Sequence, residues 1–375
     1  MKKNKIKVMT VVGTRPEIIR LSEVIKKLDL YCDHIFVHTG QNYDYELNQI
    51  FFEDLTLRKP DYFLEVKSAR IGEQIGKIIS GIEKVIIKEN PDAFLILGDT
   101  NSALTAIAAK RYKIPVFHME AGNRCFDENT PEELNRRIVD HISNINFCYT
   151  QHAKLHLIRE GLNPGNIYIT GTPMTEVIKK NYDRILKSDI LKKLKLEKKK
   201  YFVLSAHREE NVDNENQLKE LIISVNHVVN KYKHKIIFST HPRTLNRLKY
   251  QKIKFNKNVI INKPFGFFDY VNLQKNAFCV ISDSGTIFEE SAILEFPAVV
   301  IRNSTERPEA LDTGVCVQCG IDSKNIENAV EIAVKDKNSE YGIPNDYKSD
   351  NVSSRVVRFI CGQAKIIKMK TWGNF

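Results

Sequence analysis

No apolar run in this chain approaches the about 20 residues that a membrane-spanning helix needs, so no membrane partner is expected. No H-E-x-x-H or comparable histidine spacing occurs, which leaves no case for a metal site. The seven cysteines are odd in number and mostly isolated, the usage of a reducing compartment rather than of a disulfide scaffold. Cys316 and Cys319 form a C-x-x-C without the second pair a zinc site needs. They sit in a strand-like GVCVQCG rather than at a helix start, where a redox pair belongs, so a structural role is expected. No G-x-G-x-x-G follows a strand, and the dinucleotide fingerprint is therefore absent. Internal repeats and low-complexity segments are also missing. The opening MKKNKIKVMTVV is basic then apolar, as in a signal peptide. Its apolar part is short, and Arg15 and Glu17 follow at once, so a first strand and a cytoplasmic location are expected.

What is present is the composition of a globular protein, 42% hydrophobic and 27% charged. A length of 375 residues suggests two domains. The net charge of +11 would suit nucleic acid. The lysines are scattered, however, and the densest run, Lys192-Lys193 to Lys198-Lys199-Lys200, sits where a linker should be. No nucleic-acid motif appears. A basic surround for a multiply anionic small molecule accounts for the charge instead.

The stretch from Phe278 to Glu309, FCVISDSGTIFEESAILEFPAVVIRNSTERPE, organises the chain. Phe278–Ile281 is short and apolar, as in a buried strand. Ser282-Asp283-Ser284-Gly285-Thr286 breaks it, Ile287–Leu294 reads as a helix, and Pro297–Ile301 as a second strand. Ligands of open α/β sheets sit at such turns, and a helix N-terminus suits a phosphate. Gly285 lets the backbone approach one. Thr286 and Glu289 also fit a capping box, which would leave Glu289 a purely local duty. Glu290 has no such duty. Arg302 to Glu309 carries two arginines and two glutamates, which either serve a site or lie in a solvated loop.

The same alternation runs through the whole chain. Ile6–Val12, His34–His38, Ala93–Leu97, Val116–Met119, Asn146–Tyr149 and Ile167–Ile169 read as strands with helices between them. One of those helices keeps Ile71, Ile75, Ile78, Ile79, Ile82, Val85 and Ile86 on a helical spacing. Polar clusters follow the strands: GTRPE, HTGQN, GDTN, EAGNR and GTP. All would lie at the carboxyl edge of one parallel sheet. Arg15 in the first turn is either a side chain reaching for an anion or an exposed cation. After a basic stretch at 187–200 the pattern restarts, with clusters AHREEN, HPR and KPFG before the organising stretch. The expected architecture is α/β, two Rossmann-like doubly wound domains facing across a cleft. Residues 1–187 form the first domain, 188–350 the second, and 351–375 a terminal helix that crosses back to the first. Arg15, Asp99, Glu120, Arg137, His207, His241, Ser284, Glu290 and Arg307 would line the walls. Such a set suits a diphosphate, a ribose and a sugar.

GTRPE, GDTN, HMEAGNR, PEELNRR, AHREEN, DSGTIFEE and TERPE occur in the order seen in non-hydrolysing UDP-N-acetylglucosamine 2-epimerases, and from Val8 to Asp322 the chain resembles that family. HTGQNYDYELN, KRYKIPVFHMEAGNRCFDEN and IVDHI look more like the branch that makes UDP-N-acetyl-L-fucosamine from a 6-deoxy-L-talosamine nucleotide. The resemblance implies two Rossmann-like domains of the GT-B type, an interdomain site, a homodimer, no metal and no nicotinamide. It implies inversion at C2 through loss of UDP to a 2-acetamidoglycal, followed by its re-addition.

Asp99, Glu120 and Glu133 match the family's catalytic carboxylates, and His207 is counted with them. Read from the residues alone, Asp99 could merely cap a turn, Glu120 be structural, and Glu133 form a solvated pair with Arg137. Inversion requires an acid or base on each face of C2, a task for carboxylates. Arg137, one turn after Glu133, would pair with it and tune it. Arg15, His207 and the Ser284–Gly285 amides would hold the leaving diphosphate, and Glu290 the ribose. Arg20, His241, Phe265, Thr286 and Arg307 complete the expected substrate-binding set. Three departures stand out. Arg20 replaces a frequent lysine, Thr286 a usual glycine, and Glu209 an arginine of an allosteric segment that some members carry. A GT-B glycosyltransferase, a non-catalytic nucleotide-sugar sensor and a hydrolysing epimerase are the competing readings.

Overall fold

Runs such as Ala-Phe-Leu-Ile-Leu are apolar at every position, and they become strands buried on both faces, as parallel sheets require. The computed structural model describes residues 5–40, 45–66, 68–240, 242–251, 253–336 and 342–373. The chain divides into two compact units, Met1–Lys180 with Asp346–Phe375, and Asn181–Asn345. The basic stretch at 187–200 lies inside the second unit, where Ile190 of the short helix Ile190–Lys193 is buried.

The first unit holds β1 (Lys7–Val12), β2 (Asp33–His38), β3 (Tyr62–Phe63), β4 (Ala93–Leu97), β5 (Val116–Ala121), β6 (Ile145–Cys148) and β7 (Ile167–Ile169). They form one sheet in the order β3-β2-β1-β4-β5-β6-β7, and each neighbouring pair is parallel. The two-residue β3 is too short to leave a periodic signal and was not expected. The helix Ile71–Glu89 packs Ile82, Val85 and Ile86 with Met9, Val11, Phe94 and Ile96, and also buries Ile78, while Ile71 lies exposed at its start.

The helix Val352–Trp372 belongs to this unit and packs on the helix Arg15–Tyr31. Its first turn is held by buried Glu176, whose carboxylate accepts the Ser353 N–H at 2.8 Å and the Ser353 hydroxyl at 2.6 Å. A negative charge there satisfies an orphan amide and complements the helix dipole.

The second unit holds β8 (Tyr201–Ser205), β9 (Lys235–Ser239), β10 (Val259–Asn262), β11 (Cys279–Ser282), β12 (Ala298–Val300) and β13 (Val317–Gln318). Their order is β10-β9-β8-β11-β12-β13, again parallel throughout. Phe202, Leu204, Phe238 and Ile281 pack with Leu221 and Val225 of the helix Glu215–Tyr232 and Val330 of the helix Ser323–Lys335. Both units are Rossmann-like, as the alternation predicts. In each, strand order reverses once, between β1 and β4 in the first sheet and between β8 and β11 in the second. Crevices at the carboxyl ends of such reversals are where open sheets bind ligands.

Candidate active site

In the first unit the turns after β1 and β4 flank the reversal, and one buried carboxylate joins them. Glu17 accepts the Gly13 and Thr14 N–H groups at 3.0 and 2.6 Å and the Thr14 hydroxyl at 2.8 Å. Across the reversal it accepts the Thr100 hydroxyl at 3.2 Å and the Ser102 hydroxyl. Burial pushes its carboxyl up to about 7, against the pull of these donors. Folding therefore favours its protonated form, and that stability contribution is complete below its ordinary 4.5 and lost as pH rises through about 7. Thermal unfolding of Glu17→Gln should trail the wild type most at low pH and least above neutrality. A gap independent of pH would show that Glu17 does not titrate in the fold.

The three expected carboxylates come together in this unit. Arg136 donates from Nε to Asp99 at 2.8 Å and from Nη1 to Glu133 at 2.8 Å, so one guanidinium joins the turn after β4 to the helix Pro131–Ile142. Arg20 lies 2.5 Å from the Glu120 carboxylate, with its guanidinium 5.7 Å from the centre of the Tyr149 ring. A Cβ on Gly98 would sit 3.5 Å from a Glu120 oxygen, which places that carboxylate beside Asp99 in the chain. Glu120 has φ of +66°, at a register shift in the β5–β6 pairing. A left-handed non-glycine costs about 1–2 kcal/mol, and bulges of this kind re-aim side chains.

Arg137 proves to be the weaker partner of Glu133. It lies 3.5 Å away and 46% exposed, whereas Arg136 is 3% exposed and closer. Position i+3 of this helix faces inward and i+4 does not. The solvated-pair reading of Glu133 also falls, because its side chain is 3% exposed. Burial opposes ionisation of Glu133, but the Cys125 N–H at 3.1 Å and Arg136 outweigh it and hold the carboxyl below its ordinary range.

Asp140 supports both turns from beneath. Fully buried, it accepts Gly122 N–H at 3.1 Å and Arg124 Nη1 at 2.7 Å, and it faces His118 Nδ1 at 2.9 Å. His118 Nε2 reaches the Gly98 carbonyl at 2.8 Å. At Gly122, φ is +82° and a Cβ would meet the Ala153 carbonyl oxygen at 2.2 Å, so only glycine fits. Neither Arg136 nor Asp140 was singled out from the sequence. PEELNRR offered two adjacent arginines, and only packing tells them apart.

Arg15 opens the helix Arg15–Tyr31, half-buried with its guanidinium 5.8 Å from the centre of the Phe51 ring.

In the second unit Asp283 performs the equivalent joining. It accepts the His207 N–H at 2.9 Å, the Arg208 N–H at 3.0 Å and Asn211 Nδ2 at 3.1 Å, and thereby ties the turn after β11 to the turn after β8. The His207 ring stays 45% exposed. Ser284 and Thr286 share a 3.0 Å hydroxyl contact. A Cβ on Gly285 would meet a Glu306 oxygen at 2.5 Å, so that turn closes directly on the Arg302–Glu306 pair, itself 2.7 Å apart.

The capping-box reading of Glu289 is not what the fold adopts. Thr286 is itself helical, at φ −78° and ψ −19°, and makes no side-chain cap. Glu289 instead lies 3.5 Å from Arg307, both buried. The stretch Arg302–Glu309 is not a solvated loop either, since Arg302, Glu306, Arg307 and Glu309 are all buried. Glu290 accepts Gln274 Nε2 at 2.6 Å, and half-buried Tyr270 nearby has its phenol pushed up by desolvation and then by the Glu290 charge. Phe265 lies half-buried ahead of the helix Phe267–Asn276. His241 and the Gln41-Asn42 segment lie outside the described residues.

Among the described residues no group of three or more His, Cys, Asp or Glu is placed to hold a metal, and no helix is long and apolar enough to cross a membrane. The fold is thus two Rossmann-like units of the GT-B type, the first with carboxylates paired to arginines at its sheet edge. A family model described as UDP-N-acetylglucosamine 2-epimerase matches residues 26–361. The structure of such an epimerase from Rickettsia bellii is 46% identical, with a TM-score of 0.93 over 99% of this chain and 100% of that one. The Methanocaldococcus jannaschii epimerase in complex with UDP-GlcNAc and UDP is 38% identical, with a TM-score of 0.89 over 95% and 99% of the two chains. A UDP-2,3-diacetamido-2,3-dideoxy-D-glucuronate 2-epimerase of Pseudomonas aeruginosa is 33% identical over 84% of this chain and 88% of its own. The chain belongs to the UDP-N-acetylglucosamine 2-epimerase family of non-hydrolysing isomerases.

Proposed function

We propose that the protein inverts C2 of a UDP-2-acetamido sugar by elimination and re-addition of UDP. One observation carries this reading: at the carboxyl edge of the first sheet Asp99 and Glu133 share the Arg136 guanidinium, and Glu120, paired with Arg20, sets a carboxylate oxygen beside Gly98. A carboxylate removes the C2 proton while the C1–O bond breaks, which leaves a 2-acetamidoglycal and UDP. A second carboxylic acid returns a proton to the opposite face of C2, and UDP re-adds at C1. No water is consumed and no electrons are exchanged. Because C2–H is not acidified by a carbonyl, departure of UDP needs strong electrostatic help. In the second unit His207 and the Ser284–Gly285 amides hold the diphosphate, Thr286 and Phe265 flank it, and Glu290 holds the ribose. Arg15 and Arg20 contribute positive charge from the first unit, and Arg307 acts by holding the helix that carries Glu290.

The sugar is either UDP-N-acetylglucosamine, as the names of several relatives suggest, or a 6-deoxy-L-talosamine derivative, as HTGQNYDYELN and IVDHI suggest. Either product would feed surface polysaccharide synthesis from the cytoplasm, with the protein acting as a homodimer. The deciding measurement is NMR in D₂O with each sugar in turn. Deuterium should enter C2 as the epimer appears, and free UDP should not accumulate with product. UDP released in step with free amino sugar would indicate hydrolysis. Absence of exchange with both sugars, despite UDP binding, would replace this reading with a transferase or a sensor.

A further inference from the structure

Two thiols far apart in sequence meet on the first unit, away from the residues discussed so far. Cys32 ends the helix Arg15–Tyr31, donating its N–H to the Leu28 carbonyl at 2.8 Å. Cys361 lies on the helix Val352–Trp372, and the two sulfurs are 3.4 Å apart. Cys32 is buried and Cys361 exposed. Cys361 opens into a surface depression of about 450 Å³ that Lys27, Tyr31, Ser354, Val357 and Arg358 also line. Lys27 is held across it by the Ser354 hydroxyl. The charged side chains of this lining are both cations. A hydrogen bond from Cys32 brings the Cys361 thiol down to about 7 against the effect of burial, and the same contact pushes Cys32 up. The other cysteines are buried or half-buried.

We propose that Cys361 and Cys32 form a thiol–disulfide site for a small anionic disulfide of the glutathione type. Exposure, a partner sulfur within van der Waals contact and a cationic depression are the three features such a site needs. The Cys361 thiolate attacks one sulfur of the disulfide, whose S–S bond breaks and releases one thiolate. Cys32 then gives up its proton and attacks the Cys361 sulfur, which expels the second thiolate. Both leaving groups take up protons, so two protein thiols are oxidised while one small disulfide is reduced to two thiols. The sulfurs need to close only from 3.4 Å to about 2.05 Å. The bond would bolt the C-terminal helix to the helix that carries Arg15 and Arg20.

The test treats the full-length protein with oxidised glutathione and reads intact mass and a non-reduced peptide map. Wild type should lose two hydrogens, carry no adduct, and yield a peptide linking Cys32 to Cys361. The transition temperature should rise by about 5 °C or more, reversibly with dithiothreitol. Cys32→Ser should stop at a single glutathionyl adduct on Cys361, and Cys361→Ser should take none. In the Cys32→Ser background, Lys27→Gln with Arg358→Gln should slow adduct formation about threefold or more with oxidised glutathione, yet leave the rate with neutral hydroxyethyl disulfide unchanged. Wild type that keeps both thiols, or oxidises at Cys316 and Cys319 instead, overturns the pairing. An equal slowing with both reagents overturns the choice of an anionic reagent.

Discussion

Glu120→Gln should lower turnover by about a hundredfold to ten-thousandfold, the usual worth of a general acid or base, while UDP binds as it does to the wild type. Glutamine keeps the length of the side chain, so the left-handed backbone at φ +66° and the neighbouring Gly98 are undisturbed. Its amide oxygen still accepts a hydrogen bond from Arg20, which lies buried 2.5 Å from the present carboxylate. Size and hydrogen bonding are therefore retained, and only proton transfer and one negative charge are lost. Deuterium exchange at C2 should fall with turnover. If the variant epimerises at a wild-type rate, Glu120 is not a proton-transfer group, and its strained backbone serves folding alone.

Arg136→Met should destabilise the first unit by about 3 kcal/mol at neutral pH, because removing one partner of a buried ion pair leaves the other uncompensated. Methionine roughly fills the space but cannot serve Asp99 and Glu133 together. The sign of the pH dependence follows from Glu133. Its carboxyl is held down in the fold, so its contribution is present above its ordinary 4.5 and lost as pH falls through the lowered value. Urea unfolding should therefore show the largest gap between variant and wild type near pH 7, closing as the pH drops below about 4.5. A gap that stays constant through acidification would mean that Arg136 contributes packing rather than charge compensation. Activity should fall as well, since Asp99 and Glu133 are both freed from the geometry that one guanidinium imposes.

The sequence went furthest where local rules suffice. Apolar runs of strand length, separated by helical spacing and punctuated by polar turns, specify parallel sheets without knowledge of any contact. The turns themselves were visible as GTRPE, GDTN, EAGNR and DSGT, because catalytic and phosphate-binding groups cluster where strands end. Asp99, Glu120 and Glu290 were named from the residues beside these strand ends, whereas Glu133 entered only through the family resemblance. The functions assigned to them rest on the resemblance and on the chemistry of inversion, and they are what the variants above examine.

What the sequence left open has a common physical origin. Arg136 and Arg137 are adjacent and chemically identical, and a rotation of about 100° along the helix decides that the first is buried between two carboxylates and the second faces water. Glu289 fits a capping pattern three residues after Thr286, yet the turn enters the helix a residue early and Glu289 meets Arg307 instead. Glu17 and Asp140 look like ordinary members of a helix start and a helix end until Ser102, from the turn after β4, and Gly122, from the turn after β5, reach them. Cys32 and Cys361 lie 329 residues apart, and nothing short of the packed helices brings their sulfurs together. By itself, then, the sequence determined the strand–helix alternation, the polar turns at strand ends and the types of residue those turns offer, since each depends on neighbours along the chain. The tertiary structure alone decided which of several like-charged side chains face one another, because ion pairing and burial depend on distances that the chain sets only when it folds.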